Sequence, residues 1–234
     1  MDLVYSYAAF FIAYLIGSLS FAVIVSRVMG LSDPRSYGSK NPGATNVLRS
    51  GSKLAAVLTL LLDALKGWAP VALVQWKSFE LGFDDTTIAF VGVAAFFGHL
   101  FPVFFRFQGG KGVATAAGVL LAFEPLLGGA TLITWGVVAA LFRYASLASV
   151  LAAAFAPFFM LLFFDRPSVA LAVTVMCLML VWRHWRNIVK LLTGKESKIG
   201  EKAAEPRRRR HRRVRRLHND GSDTAESSHR SKGN

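Results

Sequence analysis

The strongest constraint in this chain is a series of apolar runs of membrane-spanning length, each closed by a polar break. A hydrocarbon layer of about 30 Å takes about 20 helical residues, and a lipid-exposed backbone must satisfy all its own polar groups. Leu3 to Val28, Leu54 to Trp76 and Thr86 to Phe105 are the first three runs. Val113 to Phe123 is short and ends at Glu124-Pro125, after which Leu126 to Phe142, Ser146 to Phe163 and Ser168 to Trp182 follow. The pattern predicts an all-α polytopic membrane protein with seven transmembrane helices. At 53% hydrophobic residues, the chain carries more apolar surface than a soluble domain of its size normally does. The one cysteine, Cys177, lies inside an apolar run, which excludes a disulfide framework and a thiolate metal site.

Charge sets the orientation. The net charge of +13 is unevenly spread. Arg27, Arg35, Lys40, Arg49 and Lys53 flank the first connection, Arg106 and Lys111 the third, Arg143 the fifth, and Arg183 and Arg186 begin a basic C-terminus. The alternate connections, near Asp84-Asp85, Glu124 and Asp165, are acidic or nearly neutral. The positive-inside tendency therefore predicts cytoplasmic odd loops, a cytoplasmic C-terminus and an outside N-terminus. It also requires two helices between Lys111 and Arg143, since one would leave them on opposite sides. Met1-Asp2 lacks a basic n-region, so no cleavable signal is expected. Residues 1–199 read as a membrane domain and 200–234 as a basic cytoplasmic tail. That tail, with RRRRHRRVRR at Arg207 to Arg216, is expected to be disordered and held at anionic lipid. Nucleic acid suits the tail alone and is not an expected partner.

The unusual polar residues gather in the basic connections. Gly109-Gly110-Lys111-Gly112 follows an apolar run that carries His99. Glycines admit backbone N–H groups close to an anion, Lys111 adds charge, and a helix beginning at Val113 points its positive end there. Such a turn is a phosphate site or a plain positive-inside loop. The long first connection supplies Ser39, Lys40, Asn41, Thr45, Asn46 and Arg49, and Thr45 and Arg49 share a face if the segment is helical. For Ser39 and Asn46 alone, turn and cap roles are the better reading; Arg49 with Lys111 points to a shared anion. Asp63 and Lys66 sit one turn apart within a span, and a structural salt bridge ranks ahead of catalysis. His99 reads as a satisfied core residue or, more sharply, as a general base or a ligand-orienting donor. Arg143, Ser146 and Ser149 are spaced to stack on one helix face, as are His184 and Asn187, with Glu196 and Lys198 after Gly194. Serines in membrane helices commonly bond back to their own backbone.

Several standard chemistries are absent. Gly110-Lys111-Gly112 lacks the spacer and the Ser/Thr of a P-loop, no HExxH occurs, and no G-x-S-x-G elbow occurs. No metal and no cofactor are expected.

GSLSFA at Gly17, YGSKNPGATNVLRSGSK at Tyr37, LLDALKG at Leu61, GHLFPVFFRFQGGKGVAT at Gly98, RYASLAS at Arg143 and RHWRNIVKLLTGKE at Arg183 occur in this order. Together they resemble the bacterial acyl-phosphate:glycerol-3-phosphate acyltransferases, the PlsY family, over about Leu3 to Glu196. The resemblance implies a seven-helix enzyme of the bacterial cytoplasmic (inner) membrane with its active site on the cytoplasmic side. It implies transfer of a fatty acyl group from acyl phosphate to the 1-hydroxyl of sn-glycerol 3-phosphate, giving lysophosphatidic acid and phosphate. The implied partners are those two substrates and membrane lipid, with the chain a monomer. Residue by residue, it implies a first motif of Ser39, Asn41, Thr45, Asn46 and Arg49. A second motif, His99, Gly109, Gly110, Lys111 and Gly112, resembles a glycerol-3-phosphate site. Arg143, Ser146 and Ser149 form a third, and His184 and Asn187 help hold the acyl-phosphate head. Of these, His99, Lys111, Arg49, Ser146 and Asn187 are the expected catalytic residues. Lys40 departs from the family's usual glycine.

An acyl phosphate is already activated, so positioning and electrostatics suffice without an enzyme nucleophile. The proton acceptor is either His99 or a substrate phosphate oxygen. The main alternative is a small transporter of a phosphorylated solute. Its need for access from both faces conflicts with polar clusters confined to one, and no internal repeat is apparent. A lipid-bound scaffold driven by the basic tail is a third reading.

Overall fold

A computed structural model describes residues 2–201, and each of the seven apolar runs is built of helix. The tail expected to be disordered lies, from residue 202 onward, outside the described residues. In chain order the helices are α1 (Asp2–Gly17), α2 (Phe21–Val28), α3 (Ala44–Leu48), α4 (Lys53–Trp76), α5 (Ser78–Leu81), α6 (Asp85–Leu100), α7 (Val113–Phe123), α8 (Pro125–Phe142), α9 (Ala145–Phe163), α10 (Pro167–Arg183) and α11 (Trp185–Leu192). A 3₁₀ turn at Val103–Phe105 extends the α6 run. Among the described residues, four stretches are long and apolar enough to cross a membrane: Lys53–Trp76, Asp85–Phe105, Pro125–Phe142 and Ala145–Phe163. Two bent pairs, α1 with α2 at 45° and α10 with α11 at 56°, raise the number to as many as six. The eleven-residue α7 falls short by length.

Local chemistry explains most helix ends. Ser52 and Asp84 accept from Ala55 N (3.2 Å) and Thr87 N (2.8 Å) as N-caps, and Pro125 and Pro167 occupy first turns. The first run breaks at Ser18 to Ser20, where its small residues do more than permit packing. The Leu19 carbonyl freed by the break accepts from Lys66 Nζ at 2.6 Å. Polar backbone inside the bundle is thereby satisfied by a charged side chain from α4.

Two helix crossings are closed by glycine. A Cβ on Gly17 would come within 2.1 Å of the Ala95 carbonyl, and one on Gly98 within 2.3 Å of the Tyr14 carbonyl, so α1 and α6 meet backbone to backbone. Gly67 and Gly118 do the same for α4 and α7, at 2.2 Å from Thr115 O and 1.9 Å from Ala64 O. The core between helices holds Phe96, Leu100, Phe123, Leu127, Met160 and Met176, all fully buried. Outward-facing Phe11, Leu61, Phe90, Ile133, Leu161 and Leu178 are exposed, the arrangement expected of helices solvated by lipid.

The connections divide between two ends. At one, Arg166 donates to both oxygens of Asp85 (2.6 and 3.0 Å), to Glu124 (2.7 Å) and to the Phe123 carbonyl (3.0 Å), clasping the ends of α6, α7 and α10. At the other lie the first loop, the glycine turn and the chain after α11. There Asn46, 2% exposed, accepts from Ser39 N (3.0 Å) and donates to the carbonyls of Pro34 (2.6 Å) and Tyr37 (3.2 Å). The loop is thus stapled from its own helix α3. Lys40 takes φ +57°, a glycine-like backbone, so lysine adds charge here without giving the loop an ordinary right-handed residue.

Candidate active site

The glycine turn is built by packing. Gly109 and Gly110 press against the end of α6, where a Cβ would lie within 2.2 Å of the His99 carbonyl and 2.1 Å of His99 Nε2, respectively. The Gly110 N–H donates to the His99 carbonyl (3.1 Å). Gly112 has φ +85°, and a Cβ there would strike the Phe96 ring at 2.3 Å. These requirements turn the chain sharply into α7 and bring Lys111 to the position just before its N-cap, Gly112.

A cavity of about 510 Å³ opens at this end of the bundle. Every residue expected in the site lines it except Gly109, Gly110 and Arg143. The first loop and α3 contribute Ser39, Asn41, Thr45, Asn46 and Arg49; Thr45 falls within α3 and Arg49 caps it, so the four-residue spacing does put both at one wall. His99, Lys111 and Gly112 line it from the α6–α7 turn, Ser146 and Ser149 from α9, and His184 and Asn187 from the α10–α11 bend. Ala56, Val57, Leu60 and Trp135 add an apolar side.

Two expectations need correction. Gly109 and Gly110 stand behind the turn: their carbonyls accept from Arg183, and the Gly110 N–H is already engaged. Arg143 is not on a helix face with Ser146 and Ser149. It adopts φ +62° as the cap of α8, is exposed, and exchanges backbone and side-chain contacts with Ile199 (2.7 and 3.5 Å). An i, i+3 spacing places residues on one face only where helix is continuous, and α9 begins after it, at Ala145. Ser149 lines the cavity and bonds back to its own helix, donating to Ala145 O (2.7 Å) and accepting from Trp135 Nε1 (3.1 Å).

The polar partners form a continuous chain across the cavity. Lys111 Nζ donates to Asn187 Oδ1 at 2.5 Å; Asn187 Nδ2 and Ser146 Oγ each donate to Glu196 Oε1 at 2.7 Å. Arg49 donates to Ser197 Oγ at 2.5 Å. Burial pushes the Lys111 ammonium down to about 8, with the Glu196 carboxylate pulling the other way. His184 is 2% exposed, and its Nδ1 lies 2.8 Å from the Leu180 carbonyl, which fixes the ring. Asp63 also lines the cavity; it pairs with Lys66 at 2.7 Å and approaches His99 Nδ1 to 3.7 Å, while Thr115 Oγ1 is 3.0 Å from the same nitrogen. The ion pair expected between Asp63 and Lys66 is therefore formed, with a histidine beside it.

Sequence reasoning missed Arg183, read only as a basic flank, and the stretch from Glu196 to Ile199 that crosses the cavity. Glu196 stood out as a charge after Gly194, but no periodicity ties it to Ser146, fifty residues earlier. Among the described residues, no group of His, Cys, Asp and Glu is arranged to hold a metal.

A profile of the family described as glycerol-3-phosphate acyltransferase matches residues 7–194. A protein of Burkholderia orbicola (strain MC0-3) named glycerol-3-phosphate acyltransferase is 63% identical over 194 residues, which cover 82% of this chain and 91% of that one. A protein of the same name from Paraburkholderia phymatum is 62% identical over 191 residues, with the same coverage. Among solved structures, the chain resembles the glycerol 3-phosphate form of PlsY (YgiH), an integral membrane glycerol 3-phosphate acyltransferase. The TM-score is 0.78 at 37% identity, covering 83% of this chain and 96% of that one. The lysophosphatidic acid form of PlsY gives a TM-score of 0.76 at 36% identity, covering 82% and 94%.

Proposed function

Because the chain belongs to the glycerol-3-phosphate acyltransferase family and is an integral membrane acyltransferase, we propose that the cavity joining Arg49, Lys111 and Asn187 is where acyl transfer occurs. The donor is acyl phosphate and the acceptor the 1-hydroxyl of glycerol 3-phosphate. The observation that carries this reading is the convergence of Arg49 and Lys111 on one cavity from connections sixty residues apart, each partnered by a neutral oxygen. Two such cations suit a phosphate monoester. The N–H groups at the start of α7 add oriented dipoles beside them.

In the reaction the glycerol hydroxyl oxygen forms a new ester bond to the acyl carbonyl carbon. The carbon–oxygen bond to phosphate breaks and inorganic phosphate leaves with the electron pair. Lys111 and Arg49 hold the glycerol phosphate; Ser146, His184 and Asn187 face the donor phosphate and offset charge as it departs. His99 packs its Nε2 against Gly110 and its Nδ1 near Thr115. That surrounding favours a phosphate oxygen as proton acceptor, with His99 supporting the turn. His99→Gln tests the point: loss of a pH-dependent step in kcat would return the role of base to His99.

The wider topology follows the same reading. We take the four long helices, the two bent pairs and α7 as seven spans, with the N-terminus outside. The cavity end faces the cytoplasm of a bacterial inner membrane, because its loops carry the Lys and Arg excess. On α11, exposed Trp185, Val189 and Leu192 form one stripe beside Arg186 and Lys190, a pattern that suits the headgroup layer. Residues 1–199 form the catalytic domain of a monomer, and 200–234 a dispensable tail. The deciding assay supplies purified protein and glycerol 3-phosphate with acyl phosphate, acyl-CoA or acyl carrier protein in turn. Product from acyl phosphate alone is expected; product from a thioester donor would overturn the donor assignment.

A further inference from the structure

We propose that Arg183 is a positioning residue for substrate phosphate, acting from behind the glycine turn to aim its backbone at the cavity. The inference rests on the turn and Lys111 receiving glycerol 3-phosphate, as read above. Arg183 closes α10 and donates from Nη2 to both Gly109 O and Gly110 O, each at 2.9 Å, and from Nε to Gly110 O at 3.1 Å. Its guanidinium carbon lies 5.8 Å from the centre of the Phe101 ring. The fork is therefore held on one side by an aromatic ring and directed at two carbonyls of the turn.

The consequence follows from the planarity of the peptide unit. In a trans peptide the carbonyl and the N–H point in opposite directions. Drawing Gly110 O towards Arg183 turns the Lys111 N–H away from it. Drawing Gly109 O the same way sends the Gly110 N–H to the His99 carbonyl, where it bonds. Lys111, Gly112, Val113 and Ala114 line the cavity, and the first-turn N–H groups of α7 have no intrahelical acceptor. Arg183 thus withdraws two partial negative charges from the approach of an anion and leaves N–H groups there. Released, the Gly-Gly segment can rotate its peptides at little steric cost and present carbonyl oxygen to the phosphate. A lysine in place of Arg183 can reach one carbonyl but cannot fork onto two.

The same residue links both halves of the site. Arg183 is followed directly by His184, with Asn187 one turn further on, so the clamp on the acceptor turn and the groups facing the donor share the α10–α11 bend. Arg183 acts through the turn and touches neither substrate.

The test measures KM for each substrate separately in Arg183→Gln, Arg183→Lys, Arg183→Gly and Lys111→Ala, alongside the melting temperature of each detergent-solubilised protein. Arg183→Gln is expected to raise KM for glycerol 3-phosphate about tenfold or more, with KM for acyl phosphate within about twofold. Arg183→Lys should fall between Gln and wild type. Added methylguanidinium should lower the raised KM of Arg183→Gly. The inference is overturned by a folded Arg183→Gln enzyme with unchanged KM for glycerol 3-phosphate, or by equal rises in both KM values. It is overturned equally if Gln and Lys variants both fail to fold and methylguanidinium restores nothing, which assigns Arg183 to stability alone. If Lys111→Ala also leaves KM for glycerol 3-phosphate unchanged, the reading of the turn itself has failed; a rise there with none at Arg183 isolates the failure to this inference.

Discussion

The two ends of the helix bundle treat their cations differently. At the closed end, Arg166 meets two carboxylates, Asp85 and Glu124, and Lys77 meets Glu80, so charge is neutralised within the protein. At the cavity end four cations settle on neutral oxygens: Arg49 on a serine hydroxyl, Lys111 on an asparagine amide, Arg183 on two carbonyls, Arg143 on another. Lys66 is the exception, paired at 2.7 Å with Asp63, which lines the cavity. Arg35, bridged to Asp33 at 2.7 Å, stays with its own loop. A cation holding a neutral acceptor gives up little when an anion arrives, whereas one already in a carboxylate fork would have to break it. One end is built to stay shut and the other to receive charge.

Substitutions at the two ends should therefore fail in different ways. The largest effect is expected from Lys111→Ala, which should cut kcat/KM by about a hundredfold or more through loss of a charge-assisted contact. The melting temperature should hardly move; a large drop with unchanged KM would erase the contrast. Next is the pH dependence. With its ammonium held near 8, Lys111 is charged below that pH and loses its proton above it. KM for glycerol 3-phosphate should rise above about pH 8, by at most about tenfold per pH unit, and Lys111→Arg should flatten the profile. A KM that stays level to pH 10 in the wild type would contradict it.

At the closed end, Arg166→Gln should cost about 1–2 kcal/mol of stability, read as a lower melting temperature, with both KM values unchanged. A selective KM change there would mean that the ends are not separate. The smallest effect is expected at Lys40. Lys40→Gly relieves a left-handed lysine, offset by extra freedom in the unfolded chain, so stability should change by about 1 kcal/mol or less. Activity should stay within about twofold, checked by parallel assays.

The helices were legible because lipid leaves the chain little choice: apolar runs had to be helical, and seven of them are. The breaks were harder to read. Nothing local to Ser18 to Ser20 announces that the Leu19 carbonyl opened there will accept from Lys66, on another helix. Cavity-lining residues with charge or amide groups, such as Arg49, Lys111 and Asn187, stand out in the sequence because their chemistry marks them wherever they sit. The glycines were found for the wrong reason at two positions. Gly109 and Gly110 are small so that α6 can touch them, and their carbonyls belong to Arg183. Arg183 and Glu196 were missed as site residues because their roles depend on partners about seventy and fifty residues away. Arg143 misled because spacing was read across a point where the chain turns left-handed.

If the cavity takes substrate as proposed, the paired glycines of α4 and α7 would give helix packing a say in substrate affinity. At Gly118 an added methyl would meet the Ala64 carbonyl, and α7 has only eleven residues over which to absorb the shove. Since the same rod ends in the first-turn amides that edge the cavity, a lesion deep among hydrocarbon tails would surface as poor capture of a water-soluble metabolite. A geneticist mapping such an allele would find it at a helix crossing, outside the cavity lining, and would have to trace the fault along the helix axis to its source.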